Sequence, residues 1–251
     1  VLEKLGRLEE AEQACRMAID LEPENCCVWH HRGSLLNKLN RHEEAEQACR
    51  RAIELDPKHP EAWNDLGITL GRRGRQEEAE QAYRRAIELD PKAEWAWGNL
   101  GRVLRGRKRY EEAKQALRMA IDLNPGESRF WDDLGHLVSE VGPPEEAEKV
   151  WEEALRLHPT LAQCAVHLLE ARLQRKVATE VVLSEAEEWI ERAGRTEPVL
   201  GSMCRFVLRL KLTEAFPRAE KWAREGTSKD PHGKFTEALA LVCAAEGKWA
   251  E

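Results

Sequence analysis

The densest run of chemically capable side chains is Cys26-Cys27-Val28-Trp29-His30-His31. On a helix, Cys26 with His30 and Cys27 with His31 stand at i,i+4 and share a face. Thiolate and imidazole are zinc ligands, and a thiol beside an imidazole is also the nucleophilic pair of a cysteine hydrolase. Two ligands on one helix face do not close a tetrahedral site, which takes three or four, and nothing nearby supplies an oxyanion hole or an orienting group. The expectation is therefore packing positions, with no metal, no cofactor and no catalytic residue. The basic, glycine-containing stretches 71–75 and 105–109 follow no strand and lack a terminal Gly-Lys-Ser/Thr, so they read as turns rather than phosphate loops. No Gly-x-Ser-x-Gly, His-Glu-x-x-His or calcium-loop pattern occurs. A second constellation is Trp95 with Gly98, Arg102 and Arg105, which helical spacing puts on one face. Indole and guanidinium are the groups that most often anchor protein interfaces, so this chemistry is recognition rather than catalysis.

The elements that carry these residues repeat. Trp29, Trp63, Trp97 and Trp131 recur every 34 residues, as do Gly33, Gly67, Gly101 and Gly135 and the prolines from Pro23 to Pro159. A fixed period of this length marks a stack of small helical units, each contacting its neighbours and leaving a long continuous surface. In the clearest unit, Ala62, Trp63, Leu66 and Leu70 have the three-and-four spacing of an amphipathic helix that ends at 71–74. A second helix opens with acids at 77–78 and aligns Ala79, Ala82, Tyr83, Ala86, Ile87 and Leu89. Asp90-Pro91 stops it, because proline disfavours the helical conformation in the residue before it. The small residues Gly67, Ala79 and Ala86 let the two backbones approach, and a large side chain there would force them apart.

The set Trp63, Leu66, Gly67, Leu70, Ala79, Tyr83, Ala86, Pro91 resembles the tetratricopeptide repeat. The units around Trp97 and Trp131 match nearly as well, while Arg32 replaces the leucine one unit earlier. The resemblance implies an all-α, right-handed superhelical solenoid of about six to seven antiparallel helix pairs: a partial repeat over 1–25, four regular repeats over 26–161, and degenerate repeats over 162–251. Beyond Pro159, Ala165 and Leu169 take the places of Trp and Gly. The next second helix is expected to begin at Ser184 after an insertion of about five residues, with Ala186 and Pro198 in phase, and Leu169 implies a wider helix pair. A further unit carries Ala219 and Pro231, and a partial seventh follows. The runs 206–212 and 238–245 hold more apolar residues than one helix stripe needs, which fits either a loose continuation or a junction with another domain.

A formal net charge of −7 argues against a general nucleic-acid binder. Seven cysteines without a paired framework suggest reduced thiols and a cytoplasmic protein. No apolar run reaches the roughly 18 residues that span a bilayer. Residues 1–5 and 247–251 read as pieces of interrupted helices, so the chain is expected to be a segment of a longer protein. Lys and Arg at 38, 41, 72, 73, 75, 105, 107, 108 and 109 lie at first-helix ends and turns, where helix dipoles favour them and where stacking would align a basic ridge.

The resemblance also implies that first helices line a concave groove, and the partner-binding residues expected there are Asn64, Arg72, Trp95, Asn99, Arg102, Arg105, Arg129, Asp132 and His136. A carboxylate clamp known in some family members, built from Lys-Asn, Asn and Lys-Arg sets, is matched only by Asn99 and Arg129. The expected partner is a protein or extended peptide with acidic and apolar groups, held by a non-catalytic scaffold; membrane partners are not expected and nucleic acid is disfavoured. Two other readings stay open: the regulatory arm of a larger NTPase or protease, and self-association through open repeat ends.

Overall fold

The computed structural model describes residues 7–194, 196–210 and 216–229. Among these residues every regular element is a helix, and none is long and apolar enough to cross a membrane. The expectations for residues 1–5, Pro231, the apolar run 238–245 and the partial seventh repeat lie outside the described residues. The chain divides into two compact units, Val1–Asn124 and Pro125–Glu251. The first holds α1 (Leu8–Leu21), α2 (Cys26–Lys38), α3 (His42–Leu55), α4 (Pro60–Arg72), α5 (Gln76–Leu89), α6 (Glu94–Gly106) and α7 (Tyr110–Leu123). The second holds α8 (Ser128–Val141), α9 (Pro144–Leu157), α10 (Ala162–Gln174), α11 (Thr179–Ala193), α12 (Glu197–Arg209) and α13 (Phe216–Lys229). After the lone second helix α1, the elements pair as α2/α3, α4/α5, α6/α7, α8/α9, α10/α11 and α12/α13. This is an all-α repeat solenoid.

The sequence period has a direct physical basis. The eighth residue of each regular first helix is glycine, and it faces the eighth residue of the second helix: Gly33 with Cys49, Gly67 with Tyr83, Gly101 with Leu117 and Gly135 with Trp151. A Cβ on Gly67 would come within 2.6 Å of the Tyr83 ring, so the bare backbone is what admits the aromatic. The repeat tryptophan closes the unit from the other side. Its indole N–H donates to the carbonyl of the proline six residues earlier, Trp29 to Pro23 at 2.8 Å, Trp63 to Pro57 at 3.0 Å, Trp97 to Pro91 at 3.1 Å and Trp131 to Pro125 at 2.8 Å. Tryptophan and proline therefore keep one phase because they are hydrogen-bond partners. The turn inside the unit also repeats, with a left-handed residue at Asn40, Gly74, Lys108 and Lys176, of which only Gly74 is glycine.

The pair α10/α11 departs from the pattern in a compensated way. Its second helix begins at Thr179 rather than at Ser184. Val182 and Leu183 are fully buried, so the additional apolar residues extend the helix along its packed side instead of lengthening the turn. Gly194, at φ 89°, stops the helix, and Pro198 sits in the first turn of α12, where a missing N–H costs nothing. The eighth residues are now Leu169 and Ala186, both buried, which reverses the small and large roles of the regular pairs. A second reversal accompanies it: Ala165 holds the tryptophan position, while Trp189 stands on α11 where regular second helices carry alanine. The Trp189 indole reaches back to the carbonyl of Pro159 at 2.6 Å and restores the bond that Ala165 cannot make. As Leu169 predicts, α10 and α11 approach one another less closely than the other pairs. In α12, Phe206 and Val207 of the apolar run are core residues.

Candidate partner-binding groove

In the first unit α2, α4 and α6 lie side by side and present one face. Polar residues on this face pair across neighbouring helices at a spacing of 35, one more than the repeat. His30 Nε2 lies 3.0 Å from Asp65 Oδ2, and Asn99 donates to the Asn64 carboxamide oxygen at 3.0 Å. Arg72 donates to the Asn37 carbonyl at the same step, while Asn37 and Thr69, 32 residues apart, form a buried pair at 2.8 Å. Asn99, at 9% exposure, orients Asn64 rather than facing a ligand itself. Gly98, which helical spacing puts on one face with Trp95, is buried too.

Trp95, the second residue of α6, is 37% exposed. It borders an open cavity of about 350 Å³ whose wall includes His30, Ser34, Asn64 and four carboxylates, Glu61, Asp65, Asp90 and Glu94. No lysine or arginine lines it. Arg102 and Arg105, which helical spacing puts on one face with Trp95, are not part of this wall. Trp95 lies at the N-terminal end of α6, where acids complement the helix dipole, whereas Arg102 and Arg105 lie two to three turns further along. Arg102 is exposed and Arg105 half-buried. Burial pushes the phenol of Tyr83 well above its usual range, and the charges of Arg102 and Arg72 act on it in the opposite sense.

Much of the expected basic ridge is neutralised internally. Glu46, only 2% exposed, is held by Arg50 at 2.5 Å, by Arg75 at 2.7 Å and by Arg73. Glu80 repeats the arrangement with Arg84 at 2.5 Å, Arg109 at 2.6 Å and Arg107. Each carboxylate belongs to one repeat, and the two turn arginines, 27 and 29 residues on, belong to the next. The arginines come and go with the glutamate: Lys114 stands at the equivalent place in α7, and positions 141 and 143 are then valine and proline. In α1, Glu12 has Leu39 at the first of these positions, and Arg32, the residue in the leucine position, donates to it at 2.9 Å.

In the second unit, Arg129 is exposed in the first turn of α8. Asp132 is engaged by His167 of α10, whose Nδ1 lies 3.1 Å away, and by the Cys164 thiol at 3.4 Å. The His136 ring packs on His167 with centroids 4.7 Å apart, and both contact Trp151. His167 was not singled out in the sequence, although the 35-residue step from Asp132 would have found it. Burial pushes the thiol of Cys49 up to about 12 and raises those of Cys164 and Cys204, so these are weak nucleophiles at neutral pH. In the first unit, Cys26, Cys27 and His59 present ligand atoms within 4.8 Å of one another.

Comparison with known proteins bears on what this architecture is. Two tetratricopeptide-repeat models match, over residues 24–92 and 64–128, and a protein prenyltransferase alpha subunit repeat model matches residues 8–39. No curated protein matches the sequence. Among solved structures the chain is similar to PilF of Pseudomonas aeruginosa, at 22% identity over 84% of this chain and 95% of that one, with a TM-score of 0.59. It is similar to MamA of Desulfovibrio magneticus RS-1, at 20% identity over 62% and 88%, with a TM-score of 0.56. It is also similar to YrrB, described as a TPR protein with an unusual peptide-binding site, at 20% identity over 72% and 92%, with a TM-score of 0.53. Identities this low establish the fold alone. The two repeat models, however, fall on the stretch where tryptophan, glycine and proline keep step and where the indole bonds and glycine contacts repeat. Residues 24–128 are an array of tetratricopeptide repeats.

Proposed function

We propose that the chain is a non-catalytic, cytoplasmic scaffold that binds an extended segment of another protein along its first-helix faces. The carrying observation is the open cavity beside Trp95, and the peptide-binding site for which YrrB is described supports the same use of the fold. In the first unit the proposed contacts are Asn64, Arg72, Trp95, Arg102 and Arg105, with Asn99 positioning Asn64; in the second they are Arg129, Asp132 and His136. The chemistry along the first unit is two-ended. The carboxylates around Trp95 favour a lysine or arginine side chain whose methylenes lie on the indole, and the guanidiniums of Arg72 and Arg102 favour a carboxylate further along the same segment. A partner that is only acidic and apolar would leave the Trp95 end uncompensated.

The test is a panel of extended peptides carrying Lys or Arg at one end and Asp or Glu at the other, titrated against wild type, Trp95→Ala and Arg102→Glu/Arg129→Glu. The aromatic deletion should weaken binding by about 2 kcal/mol or more, as a central anchor does. The double charge reversal should cost about 2–5 kcal/mol if its pairs are desolvated. Folded variants that bind the panel with undiminished affinity would refute the assignment.

A further inference from the structure

We propose that Cys26, Cys27 and His59 form a zinc site that clips the start of α2 to the start of α4. The three ligand atoms come from the starts of two successive first helices and lie within 4.8 Å of one another. The two thiol sulfurs are 3.9 Å apart. Zinc–sulfur bonds of about 2.3 Å at tetrahedral angles put two sulfurs about 3.8 Å apart, so the pair is already spaced for one ion. Local structure sets this spacing: Asn25 caps α2, accepting from the N–H groups of Cys27 at 3.1 Å and Val28 at 3.4 Å, and so fixes the first turn that carries both cysteines.

His59 immediately precedes Pro60, the first residue of α4; its ring packs at a tilt against His30, 4.9 Å between centroids, and its Nδ1 lies 2.9 Å from Glu61 Oε2. His30 is in turn fixed by Asp65 at 3.0 Å. A two-thiolate, one-imidazole set neutralises a divalent cation without further charge and suits a thiophilic metal rather than calcium or magnesium. It leaves the fourth position to water, and Cys27 is exposed, so an ion can enter. The helical pairs Cys26/His30 and Cys27/His31 suggested by sequence are not the cluster: the histidine that joins the cysteines is His59, more than 30 residues on, at the cap of α4.

Reduced protein is titrated with Zn2+, and with Co2+ as a spectroscopic probe, using wild type and the Cys26→Ser, Cys27→Ser, His59→Gln and His31→Gln variants, each checked for helicity by circular dichroism. The expected result is one equivalent of Zn2+ per chain, competition with Co2+, and a thiolate-to-cobalt charge-transfer band. Affinity should fall by about 10-fold or more in Cys26→Ser, Cys27→Ser and His59→Gln and stay unchanged in His31→Gln. Failure of reduced wild type to bind Zn2+, or undiminished binding by His59→Gln, overturns the site. Binding lost in His31→Gln but kept in His59→Gln would assign the metal to the helical pair and overturn it equally.

Discussion

Gly67→Ala adds a single carbon where a ring already stands. An ideal Cβ there would lie 2.6 Å from Cε1, 2.8 Å from Cδ1 and 2.9 Å from Cζ of Tyr83. Carbon pairs are most favourable at about 3.5–4.0 Å, so the ring or the helix has to give by about 1 Å. Tyr83 is buried and cannot swing into solvent. Overpacking of this kind costs about 1–3 kcal/mol, while alanine gains about 0.5–1 kcal/mol over glycine inside a helix. The expected net effect is a destabilisation of about 1–2 kcal/mol. The control lies one turn along the same helix. A Cβ on Gly71 would meet only the Ala79 methyl, at 3.9 Å, so Gly71→Ala keeps the helix-propensity gain and should stabilise by about 0.5 kcal/mol. Repeat arrays need not melt in one step, so urea titration by circular dichroism should be joined to hydrogen exchange over α4 and α5. If both alanine variants shift stability in the same direction and by the same amount, the close helix approach is not what fixes this glycine.

Two further perturbations test the bonds that hold the repeats. Trp63→Phe and Trp189→Phe each remove an indole donor to a proline carbonyl and should each lose about 0.5–1.5 kcal/mol in urea titrations, more for Trp189, which is buried where Trp63 is partly exposed; wild-type stability in both would show that these bonds contribute nothing. Burial pushes the Glu12 carboxyl up, but hydrogen bonds from Arg16 and Arg32 outweigh it and hold the group below its ordinary 4.5. The folded value thus lies below the unfolded one, and its stabilisation is complete above about pH 4.5 and is lost as pH falls through the folded value. Glu12→Gln should flatten the acid limb of the stability curve, and an acid limb identical to wild type would contradict the reasoning.

The repeats were legible because their signals are local. Glycine acts within one repeat, and tryptophan reaches a proline only six residues earlier, at the end of the preceding repeat, so all three keep fixed short offsets. Relations between repeats were harder to see. The pairs His30–Asp65, Asn64–Asn99 and Asp132–His167 follow a 35-residue step, and a search at 34 runs past them. The turn arginines read as a free ridge because their counter-ion, a glutamate buried on the preceding second helix, looks in sequence like any exposed acid of an amphipathic helix. The carboxylates around Trp95 come from α4, the α5–α6 linker and α6, so their convergence is a product of stacking. In the α10/α11 pair, residue identity misled the register: Ala186 and Pro198 look like repeat markers but occupy different places in the helices.

That exchanged pair bears on any attempt to idealise the chain by consensus. Restoring the family residues at Ala165 and Leu169 would look like a repair, since each is the apparent flaw in its helix. With Trp189 and Ala186 left in place, however, the first change would bring two indoles to one proline carbonyl, and the second would set a glycine opposite an alanine with nothing to fill the space. What is inherited here is a matched set of four positions, and sequence averaging treats them as four separate departures. Grafting or shuffling helices between repeats therefore has to move both helices of this pair together.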